Sequence, residues 1–402
     1  MESEDEFLHT YFTHVSQLCY EKAREHLEKE KGLKGPVTQW GAFLNLLQQL
    51  ALAEKSYMEI GFLQNKHKSF LRKDNSLRSV YDNMKNDLKR LEDNSKQPSI
   101  HSSIQKGIKN LTQFVTARIN LIDLYEKIYN LGVSKQVRYT EILSQIHSVI
   151  ERHSDGFIDI SFIPIKAVFS LECEILEQLF EALVQLQKLE FLSPLASIHG
   201  AHTRLAVWET KMQSREIWKL GIFKNNPLPS LFQWLQKLKG SILSKFSLYF
   251  HDILAEQTTP NDMRILCSKL YNDHYQKIVS FQKKSDAAYV LLIHDMTNVS
   301  NPTHNRIIVS YPQRIFLETD IMLKMISETN NELQTTDKII YKFVSQEQCT
   351  YILTMIEPMI YLIILFENKK SEKDAFISNF VLEFCQNLRC TKLFTSLKNT
   401  NK

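Results

Sequence analysis

From Asp5 to Gln282 apolar residues recur every three to four positions; from Ala287 onward they come in short unbroken or alternating runs. The first period belongs to one face of an α-helix, the second to strands. Residues 5–31 read as one charged amphipathic helix that stops at Gly32 and Gly35, with Pro36 placed to open the next. From Val37 to Asn65, Trp40, Phe43, Leu44, Leu47, Leu50, Ala51 and Met58 keep helical spacing. Leu77, Val80, Tyr81, Met84, Leu88 and Leu91 form a cleaner stripe, with Asp74 and Ser76 as available caps. Ile104, Ile108, Leu111, Val115, Arg118, Ile122, Tyr125 and Tyr129 alternate steps of three and four, the seam of a long bundle helix. Further helices are expected near 134–153, 165–191, 195–220 and 230–255, with a firm break at Asn226-Pro227-Leu228-Pro229. Thr259-Pro260-Asn261-Asp262 combines a capping hydroxyl, Pro at the first helical position and an acid at the third, and starts a helix over 260–282.

Near Ser285 the pattern changes. Ala287–Ile293 and Met359–Phe366 are continuous apolar runs suited to strands buried on both faces, and Arg306–Tyr311, Asp337–Val344 and Cys349–Ile356 suit flanking strands. Helices are expected at 313–330, 371–388 and 391–398. Hairpin-connected strands separated by helices predict an α+β layer sandwich. This order resembles the roadblock/longin family of small domains, whose first and fifth strands lie at the sheet centre, and the two continuous runs here are the first and fifth strands. The expected architecture is an all-helical bundle over 1–258, then a roadblock/longin-like antiparallel five-stranded domain over 259–402, with a leading helix at 260–282 and sheet and helices at 285–402.

Composition narrows the function. Ten glycines in 402 residues fall well below the average of about 7%, and phosphate-cradling loops need glycine that helices do not. A net charge of +4 over 49 basic and 45 acidic residues lacks the electrostatic footprint of a nucleic-acid binder. Six cysteines without a C-x-x-C pair suit a reducing compartment. The acidic start, Met1 to Glu6, has no apolar core of a secretory signal, so the sequons at Asn110 and Asn298 carry no weight. Tyr351–Phe366 is apolar but interrupted by Glu357-Pro358; a bilayer span takes about 20 apolar residues, so two strands joined at a proline turn fit it better.

Catalytic signatures are absent. There is no G-x-G-x-x-G, G-x-x-x-x-G-K-[ST], G-x-S-x-G or H-E-x-x-H, and not the two Glu-x-x-His pairs of the di-iron bundles. His199 and His202 have a metal-like spacing but no second ligand cluster, and read as cap or surface residues. Glu172, Glu174, Glu177 and Glu181 invite an acid/base reading, yet they straddle the apolar stripe of one helix and are expected on its solvated face. Arg118 falls on its helix's apolar seam. A guanidinium there needs a partner or must snorkel, and an interhelical ion pair is preferred to an active-site role. Its partner is not evident. Phe246, Tyr249 and Phe250 are core or a partner groove, core being preferred; Lys369, Lys370 and Lys373 open a helix as a solvated cluster or a contact for an acidic partner.

Residues 72–91 (RKDNSLRSVYDNMKNDLKRL), 115–129 (VTARINLIDLYEKIY), 245–254 (KFSLYFHDIL), 257–266 (QTTPNDMRIL) and 366–374 (FENKKSEKD) resemble, in the same order, stretches of the KICSTOR complex subunit 2 family. That resemblance implies a non-catalytic scaffold, without cofactor or metal. Its partners would be the other KICSTOR-like subunits and a GATOR-type complex with GTPase-activating activity toward Rag GTPases. It would act in the cytoplasm, at the lysosomal surface through those partners, restraining TOR complex 1 in nutrient scarcity. The loop Asp295–Asn305 is shorter than the insertion associated with vertebrate members, which puts any contact of that insertion in doubt. Nucleic acid and direct membrane insertion are not expected, self-association stays open, and an enzyme with an unrecognised site in the helical part is the alternative.

Overall fold

A computed structural model describes residues 3–34, 38–63, 76–94, 102–134, 137–213, 228–295, 307–313, 319–333 and 338–398. Within them the helices are α1 Glu4–Ser16, α2 Tyr20–Lys34, α3 Gln39–Met58, α4 Leu77–Asn94, α5 Ser102–Val133, α6 Tyr139–His153, α7 Ile163–Gln187, α8 Leu192–Gln213, α9 Ser230–Tyr249, α10 His251–Gln257, α11 Pro260–Ser268 and α12 His274–Ser285. There follow β1 Tyr289–His294, β2 Ile307–Tyr311, α13 Thr319–Leu333, β3 Ile340–Val344, β4 Cys349–Glu357, β5 Ile360–Phe366, α14 Ala375–Leu388 and α15 Thr391–Ser396.

Caps mark many of these boundaries. Ser3 Oγ accepts from the Glu6 amide at 3.2 Å, Thr38 Oγ1 from Gly41 at 3.1 Å and Thr259 Oγ1 from Asp262 at 3.1 Å. Three expected helices are each divided, the 230–255 stretch at Phe250, between α9 and α10. The 5–31 stretch breaks at Leu18, whose φ of 60° ends α1 in the left-handed region. The 260–282 stretch breaks between α11 and α12, where Asp273 Oδ1 accepts from the Gln276 amide at 2.9 Å and starts a new helix. The 195–220 expectation ends at Gln213, residues 214–227 lying outside the described ones. Asp74, Asn298 and all of the 295–305 loop beyond Asp295 are also outside them.

Helix α5, about 48 Å long at 1.5 Å per residue, is the axis of the helical part, with its seam from Ile104 to Tyr125 buried. The sheet is antiparallel in the order β2-β1-β5-β4-β3. β5 is central and β1 lies between it and β2, as their continuous apolar character required. Glu357-Pro358 falls in the β4–β5 hairpin, so the apolar 351–366 stretch is two paired strands.

The two sheet faces bury against different things. Tyr289, Leu291, Ile293, Leu353 and Ile363 pack under Met322, Leu323 and Ile326 of α13. Val290, Leu292, Ile352, Ile356, Leu362 and Ile364 join α12, α14 and the helical part in one continuous core that crosses residues 258–259 without a gap. The chain's last described helix completes that core. Phe394 of α15 stacks on Phe180 of α7 at 5.9 Å, and Trp234 Nε1 donates to the Leu393 carbonyl at 2.9 Å. Gly132 permits the approach, since a Cβ there would lie 2.8 Å from Phe394 Cβ.

Candidate functional site

Two buried polar networks and two surface features gather the chain's chemically distinctive side chains. The first network crosses α3, α4, α5 and α7. Arg118 is 2% exposed, Glu54 3% and Glu172 0%. Arg118 Nε donates to both Glu54 oxygens at 3.0 and 3.2 Å, Nη2 to Glu54 Oε2 at 2.8 Å, and Nη1 to Glu172 Oε2 at 2.7 Å. The phenols of Tyr57 and Tyr125 donate to Glu172 Oε1 at 2.6 and 2.9 Å, and Tyr81 donates to Glu54 Oε1 at 2.7 Å. The guanidinium carbon also lies 4.2 Å from the Tyr57 ring centroid.

Burial pulls the Arg118 guanidinium down, but Glu54 and then Glu172 more than reverse this and hold it above its ordinary value. Burial, then the Glu172 carboxylate, drives Tyr57 and Tyr125 well above the usual phenol range; burial, then Glu54, does the same to Tyr81. These groups stay in one protonation state across physiological pH, which suits a structural tie rather than proton transfer. Glu172 therefore leaves the solvated set in which its spacing placed it: its carboxylate is pinned among four helices. Glu174 does face outward, paired with Arg204 at 2.5 Å.

A second network joins the helical part to the sheet. Lys245 of α9 donates to Glu357 at the end of β4, and both side chains are fully buried. Tyr139 of α6 donates to Glu357 Oε1 at 2.9 Å and lies 3.0 Å from the Arg389 carbonyl; Tyr249 reaches Glu357 Oε2 at 3.3 Å. The β4–β5 register shifts between Met355 and Glu357, passing over Ile356, and Arg389 donates there to the carbonyls of Ile356 at 2.5 Å and of Met355. Burial lifts the neighbouring Cys390 thiol to about 11, an unreactive setting.

Phe246, Tyr249 and Phe250 belong to this interior. Phe191 stacks on Phe246 at 5.6 Å and meets Phe250 edge-on at 5.0 Å, and Phe246, Tyr249 and Phe250 are all buried in the core. Lys369 and Lys373 are exposed and Lys370 half-buried, in the loop before α14, whose cap is Asp374. They precede the helix instead of opening it. The Lys370 amide donates to Thr350 Oγ1 at 3.1 Å and its ammonium lies 4.7 Å from the Phe366 ring centroid.

His199 and His202 are exposed on α8, with His202 Nδ1 3.2 Å from the Lys239 ammonium. A different trio, His147 of α6 with Glu177 and Glu181 of α7, brings its ligand atoms within 4.8 Å of one another. It offers an imidazole and two carboxylates, one short of a closed tetrahedral set. Spacing hid it because the imidazole comes from another helix; Glu177 and Glu181, four apart, were its only linear trace. The partners of Arg118 left a better one. Glu54 and Glu172 each lie on their own helix's apolar stripe, as Arg118 does, and an acid on a seam is the complement of a base on another.

A family profile described as KICSTOR complex C12orf66 like matches residues 1–304 and 299–402, the two pieces overlapping in the β1–β2 connection. KICSTOR subunit 2 of Xenopus laevis is 31% identical, aligned over 100% of this chain and 98% of its own length. KICSTOR subunit 2 of Danio rerio is 30% identical, over 98% of this chain and 96% of its own.

Proposed function

The chain belongs to the KICSTOR C12orf66-like family, and from that membership we propose that it is a non-catalytic scaffold subunit of a KICSTOR-like complex. In this reading the complex recruits a GATOR-type assembly, with GTPase-activating activity toward Rag GTPases, to the lysosomal surface. TOR complex 1 is thereby restrained when amino acids or glucose are scarce. The observation that carries the reading is the extent of the likeness, which takes in essentially the whole of this chain and of both relatives.

The fold suits that role. A continuous core and the buried Lys245–Glu357 network tie the helical part to the sheet, and the Arg118 network ties four helices to one another, a body suited to holding several partners in fixed relation. Among the described residues no helix is long and apolar enough to cross a membrane, and placement at the lysosome is assigned to partners. Lys369, Lys370 and Lys373 are proposed as a contact for an acidic partner surface, since the loop is exposed and cationic.

The test is depletion of the protein followed by amino-acid withdrawal, with phosphorylation of TOR complex 1 substrates as readout. Phosphorylation should persist in depleted cells and shut off again on re-expression. Normal shut-off without the protein would refute the regulatory role.

A further inference from the structure

Helices α12 and α14 lie side by side on the sheet, and between them runs an open groove of about 610 Å³. Its floor is aromatic. Phe281 stacks on Phe380 at 3.8 Å and Phe380 on Phe384 at 5.3 Å, while Phe376 stands at the rim 49% exposed. Phe281 and Phe384 are buried, so Phe376 and the half-buried Phe380 are the apolar surface left to water.

The walls differ in charge. α12 contributes Lys277 and Lys284, seven residues apart and so about 10 Å along one helix face. Among the described residues neither makes an ion pair, and Lys277 has an amide contact, to Asn272 Oδ1 at 3.4 Å. The acids at the rim are already engaged. Glu383 of α14 lies 3.8 Å from the Lys392 ammonium, and the Asp273 carboxylate caps α12. Two ridges with an aromatic floor offer a seat to an apolar helical stripe, and the uncompensated charge on one ridge is positive.

We propose that the α12–α14 groove docks an amphipathic helix of a partner protein. Its apolar residues at i, i+3 or i+4 and i+7 would cover Phe376 and Phe380, and its acidic residues would lie along the edge facing Lys277 and Lys284. The scaffold reading enters only in making the occupant a protein. The occupant's two acids need a matching spacing of about two helical turns, which sets the register of docking.

The test places a photo-crosslinking benzoyl-phenylalanine at Phe376 in the full chain, purified with its native assembly, and identifies the labelled peptide by mass spectrometry. The expected product is a helix-forming segment of another subunit bearing acids beside an apolar stripe. Its yield should fall at least tenfold in the Lys277→Glu/Lys284→Glu variant, whose melting temperature should stay within about 2 °C of the wild type, since among the described residues neither lysine makes an ion pair and a charge in the last helical turn is worth about 0.3–1 kcal/mol. Labelling of a second copy of this chain, of its own segments or of a small molecule would overturn the proposal, as would a yield unmoved by the charge reversal. An intact assembly with an unlabelled groove refutes the docking site and leaves the scaffold reading standing. A chain recovered alone and unlabelled refutes both.

Discussion

Replacing Arg118 with Met keeps most of the side-chain volume and removes the cation to which Glu54 and Glu172 are bound at 2.7–3.2 Å. Two carboxylates, 3% and 0% exposed, are then stranded among α3, α4, α5 and α7. Breaking a buried pair by removing one partner costs about 3–5 kcal/mol. Unit charges 4 Å apart at an effective dielectric of about 20 give a similar figure, about 4 kcal/mol. The phenols of Tyr57, Tyr81 and Tyr125 still donate to the two acids and keep the loss near that value rather than twice it. At about 2.1 cal/mol/K per residue, unfolding the 402-residue chain as one unit carries an entropy of about 0.8 kcal/mol/K, so a loss of ~4 kcal/mol lowers the melting temperature by about 5 °C. Calorimetry near neutral pH reads this directly. The triple variant Arg118→Met/Glu54→Gln/Glu172→Gln removes every charge and should recover at least half of the loss. A single variant melting within about 1 °C of wild type, or a triple variant as unstable as the single, would refute the idea that stranded charge sets the cost.

Three further outcomes follow from particular contacts. Burial, then Lys277 and Lys245, lowers His274 to about 3, and neither of its ring nitrogens has a hydrogen-bond partner. The folded state thus binds fewer protons than the unfolded one below about pH 6.5, so stability is lost as pH falls from there toward about 3. Between pH 7 and pH 5, urea unfolding should show wild type losing about 2 kcal/mol that His274→Leu retains; a pH-independent difference would contradict this. Gly132→Ala puts a methyl 2.8 Å from Phe394 Cβ, and should cost about 1–3 kcal/mol and lower hydrogen-exchange protection across α15. Lys245→Met leaves Glu357 buried beside Tyr139 and Tyr249 and should destabilise by about 3–5 kcal/mol, with tryptophan fluorescence and far-UV circular dichroism changing in a single transition.

The helices and strands were readable because burial of one face writes its period into the chain. The seam of α5 and the Thr259 cap sit where that period put them. The inner placement of β1 and β5 was readable too, since strands covered on both faces can be apolar throughout, and β1 and β5 are. Breaks at Leu18 and before Asp273 were not, because left-handed backbone and a short re-capping turn leave the apolar spacing nearly intact. The networks were half visible. Arg118 announced itself on a seam, but Glu54 is 64 residues away and Glu172 54, separations that only packing closes. Glu172 was further masked by Glu174, Glu177 and Glu181, which share its helix at spacings that resemble a solvated edge. The α12–α14 groove had no linear signature, for Phe281 and Phe380 are nearly a hundred residues apart until the sheet folds.

The central claim is that this chain works as a fixed part of a larger assembly. Native purification of the tagged protein at its endogenous level, followed by mass measurement of the intact species, tests that most directly. A stoichiometric complex with KICSTOR-type subunits is the predicted result. A monodisperse monomer carrying a bound small molecule would contradict it.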